Sequence, residues 1–251
     1  MRRFKGSAEP QSHHDVQMSS VKPLTIVVSA SLGNVDGLMV RPEEAKWLLV
    51  LAHGAGAGMQ HPFMERLAHE LGGFGVATLR YQFPYMQQRR SRPDVSAVLT
   101  TTVRAAVAAA SAEAPDLPLL AGGKSFGGRM TSLAFAEMPP AVPPGITAVR
   151  GLEFFGFPLH PAGRPSIQRA EHLAKVDLPM LFLQGTRDAL ADLSLLHPVC
   201  AELGPRGRLH VVEGADHSFH ILKRSGRRDA EVLREVAVTV ASWAGRLVAR
   251  S

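Results

Sequence analysis

Short apolar runs alternate along the chain with longer stretches whose apolar residues return every three or four positions. The runs fall at 47–52 (Trp-Leu-Leu-Val-Leu-Ala), 76–79, 117–122, 148–154, 179–184 and 208–212. All six read as strands, and the continuous apolar character of 47–52 is expected of a strand that is fully buried. Between them, 62–71 places Phe63, Leu67 and Leu71 on one face, with Gly72-Gly73 to end it. A longer helix after Asp94, its expected cap, turns Val95, Val98, Leu99, Thr102, Val103, Ala106 and Ala110 inward. A third helix is expected over 129–138, broken by Pro139, Pro140, Pro143 and Pro144, and a last one over 229–248 with Val232, Val236, Val240 and Trp243 on one stripe. These spacings follow the helical period and the usual start and stop residues. Two runs at 24–30 and 35–41 flank Ser31-Leu32-Gly33-Asn34 and read as an antiparallel hairpin at a sheet edge.

Alternating strand and helix means a mostly parallel sheet covered by helices on both faces, an α/β class protein. One domain over 23–251 is expected, preceded by a flexible tail over 1–22 in which Met18 is an alternative start. The stretch between Gly156 and Leu178 is too short for a large lid and suits a short helix around 167–174.

Composition narrows the function classes. A length of 251 residues, 45% hydrophobic and 20% charged, fits one globular unit. Cys200 is the single cysteine, so no intrachain disulfide forms, and a cytoplasmic setting is expected. No apolar run reaches membrane-spanning length, and Arg2-Arg3 are not followed by an apolar signal region, so no membrane partner is expected. The net charge is +6, with basic clusters at Arg89, Arg90, Arg92 and at Lys223, Arg224, Arg227, Arg228. Aromatics for base stacking amount to only 6%, and no nucleic-acid partner is expected.

The chemistry concentrates at Gly123-Lys124-Ser125-Phe126-Gly127, a G-x-S-x-G pattern between an apolar run and a helix-like run. A strand, a sharp turn and a helix place a serine hydroxyl above a sheet edge. Glycines two places either side let the two backbones approach. A serine needs a base, and the base needs a carboxylate to hold its tautomer. His217, in Glu213-Gly214-Ala215-Asp216-His217-Ser218-Phe219, and Asp188, in Gln184-Gly185-Thr186-Arg187-Asp188, both follow apolar runs, at the strand edge where ligands gather in parallel sheets. Glu153 is an alternative acid. Asp216 reads as a turn residue, Asp192 as the cap of the next helix, and His210 as structural.

The small-residue loop His53-Gly54-Ala55-Gly56-Ala57-Gly58 lacks the Gly-Lys-Ser/Thr ending of a phosphate loop. It suits backbone N–H groups facing a developing oxyanion, with Ala55 and Phe126 as the expected donors. His53, Phe83, Tyr85, Phe157, His160 and His220 are candidate pocket residues. Lys124 and Arg129 flank the serine, where an acidic substrate would meet them. No metal or other cofactor is expected: there is no H-E-x-x-H spacing and no cysteine ligand set.

The order His-Gly loop, Gly-Lys-Ser-Phe-Gly, Gly-Thr-Arg-Asp and Asp-His-Ser-Phe resembles the α/β-hydrolases, most closely the dienelactone-hydrolase-like branch. Residues 80–85 and 157–161 look like a subgroup that includes the testis-expressed and histone-acetyltransferase-complex α/β-hydrolase-like proteins. The resemblance spans roughly 24–248 and implies Ser125 as nucleophile, Asp188 as acid and His217 as base. Dienelactone hydrolases carry cysteine where this chain has Ser125. The expected function is hydrolysis of a small-molecule ester, thioester or related acyl substrate through an acyl-enzyme. A non-catalytic scaffold or complex subunit, and an acyltransferase or cofactor-free peroxidase on the same residues, are the alternatives.

Overall fold

The computed structural model describes residues 20–142 and 145–248. Residues 1–19, most of the expected tail, and Pro143 and Pro144 lie outside the described residues. Val21 and Lys22, assigned by sequence to the tail, are the first residues of a strand.

The chain order begins β1 (Val21–Ser29), β2 (Gly33–Val40), β3 (Trp47–Ala52), α1 (Pro62–Gly72), β4 (Val76–Tyr81), α2 (Pro84–Gln87) and α3 (Ser96–Glu113). It continues with β5 (Leu119–Lys124), α4 (Phe126–Ala136), β6 (Val149–Phe155), β7 (Met180–Gly185), α5 (Leu193–Glu202), β8 (Gly207–Val212) and α6 (Asp229–Val248). The eight strands form one sheet in the order β1-β2-β4-β3-β5-β6-β7-β8. The β1–β2 hairpin lies at one edge, pairing antiparallel, and every pair from β4 through β8 is parallel. This is a single-domain α/β-hydrolase fold.

Alternation along the buried strands feeds two cores. Leu48, Val50 and Ala52 of β3 join the layer under α3 and α4, with Val103, Ala106 and Met130. Trp47, Leu49 and Leu51 join the opposite layer with Leu67 of α1 and Val232, Val236, Val240 and Trp243 of α6. Side chains of successive strand residues point to opposite faces, so a strand covered on both sides must be apolar throughout. The segment from β6 to β7 holds only a 3-10 run, Gln168–Lys175, so the lid is minimal.

Helix ends differ from the expectation in detail. Asp94 does not cap α3; Val95 takes that position, 71% exposed, while Asp94 pairs with Arg90. In α1 the buried face is Met64, Leu67, Ala68 and Leu71, with Phe63 half-buried, and Gly72 stays inside the helix. The turn after Ser125 passes straight into α4, which starts at Phe126 rather than Arg129 and ends at Ala136. Asp192 does cap α5, accepting the Ser194 N–H.

Candidate active site

Ser125 stands between β5 and α4 with φ 51° and ψ −118°. A residue with a side chain held at positive φ stores strain of about 1–3 kcal/mol, and the surroundings must over-determine it. They do. A Cβ at Gly123 would lie 2.6 Å from the Ala52 carbonyl oxygen, and one at Gly127 would lie 2.5 Å from that of His53. Only glycines allow β3, β5 and α4 to close this tightly. The Ser125 N–H donates to the Phe155 carbonyl at 3.1 Å and fixes the turn against β6.

The serine meets a histidine. His217 Nε2 lies 2.8 Å from Ser125 Oγ, and His217 Nδ1 lies 2.7 Å from Asp188 Oδ2. With its Nδ1–H on the carboxylate, the imidazole presents Nε2 as an acceptor for the hydroxyl proton. The Asp188 side chain is wholly buried, and that of His217 is 26% exposed. Asp188 also accepts the Leu190 N–H at 2.8 Å and the side-chain N–H of Gln184. The loop bearing His217 is tied by its neighbours: Asp216 Oδ1 accepts the N–H groups of Ser218 and His220, and Ala215 bridges to Ile221. Asp216 thus serves as a turn residue.

Gly54 packs against the base of the elbow, since a Cβ there would lie 3.9 Å from Ser125 Cβ. Ala55, the next residue, is exposed, and Phe126 is half-buried in the first turn of α4. Among the described residues neither N–H has a hydrogen-bond acceptor within the protein. The Phe126 N–H belongs to the residue that follows Ser125, and a developing oxyanion requires free donors of this kind.

Five of the six candidate pocket residues are buried and the sixth is exposed. Phe83, Tyr85 and Phe157 are fully buried core aromatics. Phe83 packs on His53, Tyr81 and Phe126; Phe157 packs on Phe154 and Phe182. His53 is also fully buried, its Nδ1–H on the Gly54 carbonyl and its Nε2 accepting the Phe83 N–H. Burial holds its pKa down at about 4, so the ring is neutral and structural. His160 is buried and links the Pro161 carbonyl to the Asp192 N–H. His220 is exposed and pairs with Asp229 at 3.0 Å. Hence five of these residues brace the loops from within, and the sixth faces outward.

Glu153 is fully buried in β6, and neither carboxylate oxygen has a hydrogen-bond partner among the described residues. Asp188, not Glu153, bonds His217. Lys124 is engaged within the protein: its Nζ donates to the His217 carbonyl at 2.6 Å. That contact, the Gln184–Asp188 bond and the left-handed Gly156 (φ +71°) facing them were not assigned from sequence. Only the polar type of Lys124 and Gln184 at the ends of apolar runs hints at them. Among the described residues no group of three or more His, Cys, Asp or Glu side chains could hold a metal ion. No described helix is long and apolar enough to cross a membrane.

A family model described as an alpha/beta hydrolase domain matches residues 45–245. A solved structure of an α/β serine hydrolase without lid from Xanthomonas campestris superposes with a TM-score of 0.68 at 20% identity, covering 89% of this chain and 94% of that one. A dienelactone hydrolase from Anabaena variabilis gives 0.65 at 22% identity, covering 89% and 96%. At these identities the likeness is one of fold. A Mycobacterium tuberculosis protein whose name provisionally assigns it to the phosphoribosyl transferases is 28% identical over 214 residues. The match takes in 83% of this chain and 43% of that protein, so the chain spans less than half the length of this relative.

Proposed function

The chain belongs to the alpha/beta hydrolase family, and from that premise we propose that it is a serine hydrolase cleaving a small or moderate ester, thioester or related acyl substrate. One observation carries the reading: a strained Ser125 whose Oγ is 2.8 Å from His217 Nε2, with His217 Nδ1 2.7 Å from buried Asp188. In this reading His217 takes the Ser125 proton as Oγ attacks the carbonyl carbon. The N–H groups of Ala55 and Phe126 hold the oxyanion, and Asp188 stabilises the imidazolium. The tetrahedral adduct collapses to an acyl-enzyme as the leaving group departs with the proton from His217. Water, deprotonated by His217, then releases the acid and restores Ser125.

A minimal lid supports short or compact acyl groups over deeply buried long chains. Residues 80–85 and 157–161 support placing the chain in the subgroup of testis-expressed and histone-acetyltransferase-complex α/β-hydrolase-like proteins. The activity in the Mycobacterium relative's name belongs to a protein of which the matched stretch is only 43%. The test is hydrolysis of a short-chain p-nitrophenyl ester series by wild type and Ser125→Ala, with fluorophosphonate labelling in parallel. Turnover and labelling that both vanish in Ser125→Ala support the reading. Wild-type turnover in that variant overturns the Ser125 assignment, and a wild type that neither turns over nor labels overturns the reading in favour of the scaffold alternative.

A further inference from the structure

Resting on the serine-hydrolase reading, we propose that Lys124 is a positioning residue of the same site: its ammonium clamps the His217 loop and places positive charge behind the Asp188–His217 pair.

The geometry is specific. Lys124 Nζ donates to the His217 carbonyl oxygen at 2.6 Å. A Cβ built on Gly156 would lie 3.1 Å from that Nζ, 3.4 Å from Asp188 Oδ2 and 3.4 Å from His217 Nδ1. The three polar atoms therefore surround one point no larger than a methyl group, and the absence of a side chain at Gly156 leaves them room. The rings of Phe63 and Phe219, stacked on each other at 5.8 Å, each lie 5.7 Å from Nζ. A cation facing aromatic rings gains some compensation for lost water.

The electrostatic need is equally plain. The Asp188 side chain is wholly buried. Its hydrogen-bond donors are a backbone N–H, a carboxamide and an imidazole N–H, all neutral while His217 is unprotonated. A buried carboxylate needs a nearby counter-charge as well as donors. The charged and titratable groups facing Lys124 are Asp188 on the turn after β7 and Asp216 and His217 on the loop after β8. α1 offers it a ring instead of a charge. Burial pulls the Lys124 pKa down to about 8, with the two aspartates opposing the fall. The clamp is therefore positive at neutral pH and weakens above about pH 8. Nothing in this role touches substrate; Lys124 acts through His217.

The experiment measures the rate of fluorophosphonate labelling at Ser125 against pH for the full chain as wild type, Lys124→Arg and Lys124→Met. A misplacement of one ångström in a catalytic group can cost about 100-fold. Lys124→Met, lacking donor and charge, should label about 10- to 100-fold more slowly. Its acid limb should move to higher pH, because the charge opposing the imidazolium is gone. A purely structural lysine would not move that limb. Wild type should lose rate above about pH 8, whereas Lys124→Arg should hold its rate there. Rates within about twofold and superimposable pH profiles in all three proteins would overturn the proposal. If Lys124→Met does not fold, the comparison of wild type with Lys124→Arg decides alone: identical basic limbs overturn it. A wild type that labels normally with indifferent Lys124 variants sinks only the clamp. A wild type that never labels removes the serine-hydrolase reading and the clamp with it.

Discussion

His53 Nε2 accepts the backbone N–H of Phe83 at 3.1 Å, so one neutral imidazole joins the loop after β3 to the loop after β4. Its other nitrogen donates to the Gly54 carbonyl, directly beneath the elbow. In His53→Phe the Gly54 carbonyl keeps its bond from the Ala57 N–H, but the Phe83 N–H is left buried and unpaired. That should cost about 1–3 kcal/mol in urea denaturation. The sign of the pH effect follows from the depressed pKa of about 4 against an ordinary 6.5. The contribution of the ring is fully present above pH 6.5 and is lost as pH falls toward 4. Wild type should weaken through that window relative to the variant, and an unchanged urea midpoint at pH 7 would refute the bridging role.

Gly127 and Gly245 should respond in opposite directions to alanine. A Cβ at Gly127 would sit 2.5 Å from the His53 carbonyl and 2.7 Å from that of Ala52, with backbone on both counts. The backbone at the end of β3 cannot yield, and Gly127→Ala should lose more than about 4 kcal/mol or fail to accumulate folded. Gly245 lies in α6, exposed, with nothing among the described residues within 4 Å of an added Cβ. Gly245→Ala should gain about 0.5–1 kcal/mol. Thermal melts of both variants check the pair. A mild Gly127→Ala would mean the elbow is not closed by backbone contact.

The contrast explains which features were legible in the sequence. Apolar runs announced the parallel strands, most plainly β3 and β7, where burial on both faces leaves no alternation to misread. Ser125, Asp188 and His217 were legible because each lies in the turn or loop after a strand's C-terminal end, and the 2.7–2.8 Å bonds between them join segments that local spacing alone could have placed only at the same sheet edge. The pocket residues were not legible. A Phe, Tyr or His in a loop looks the same in sequence whether it faces a cleft or the core, and Phe83, Tyr85, Phe157, His53 and His160 all face inward. Asp94 has the side chain of a helix cap but is captured by Arg90 four residues before. Lys124 reaches 93 positions along the chain to His217, and no local pattern encodes such a contact.

Strain at Ser125 separates stability from chemistry. Its φ of 51° is tolerable for glycine and costly for any other residue. Ser125→Gly should therefore raise the stability of the fold by about 1–3 kcal/mol. Ser125→Ala removes the same hydroxyl but keeps the strain, and should melt close to wild type. Both should lose fluorophosphonate labelling, and ester turnover should fall by about 10,000-fold or more if the serine-hydrolase reading holds. Calorimetry on the three proteins measures the difference. Equal melting temperatures for the glycine and alanine variants would show that the elbow is not strained.

Glu153 presents the opposite problem, a carboxyl group with a poor environment and no assigned task. It is fully buried, neither oxygen is hydrogen-bonded among the described residues, and burial pushes its pKa from an ordinary 4.5 up to about 8. The group is therefore protonated in the folded protein at neutral pH and ionised in the unfolded chain. Between pH 4.5 and 8 the folded state binds the extra proton, so stability falls as pH rises through this window. The share lost by pH 7 is roughly 3 kcal/mol, at about 1.4 kcal/mol per unit. Glu153→Gln keeps the size and removes the titration, so its denaturation free energy should decline less steeply than wild type from pH 5 to 8. Glu153→Leu goes further, since replacing an unsatisfied buried polar group by an apolar one of similar volume removes the desolvation cost as well. It should be the most stable of the three at pH 7. Because Glu153 makes no bond to His217, both variants should label at Ser125 as wild type does. Parallel pH–stability curves for wild type and Glu153→Gln would show that the carboxyl is solvated or paired, and a loss of labelling in Glu153→Gln would restore it as a member of the catalytic site.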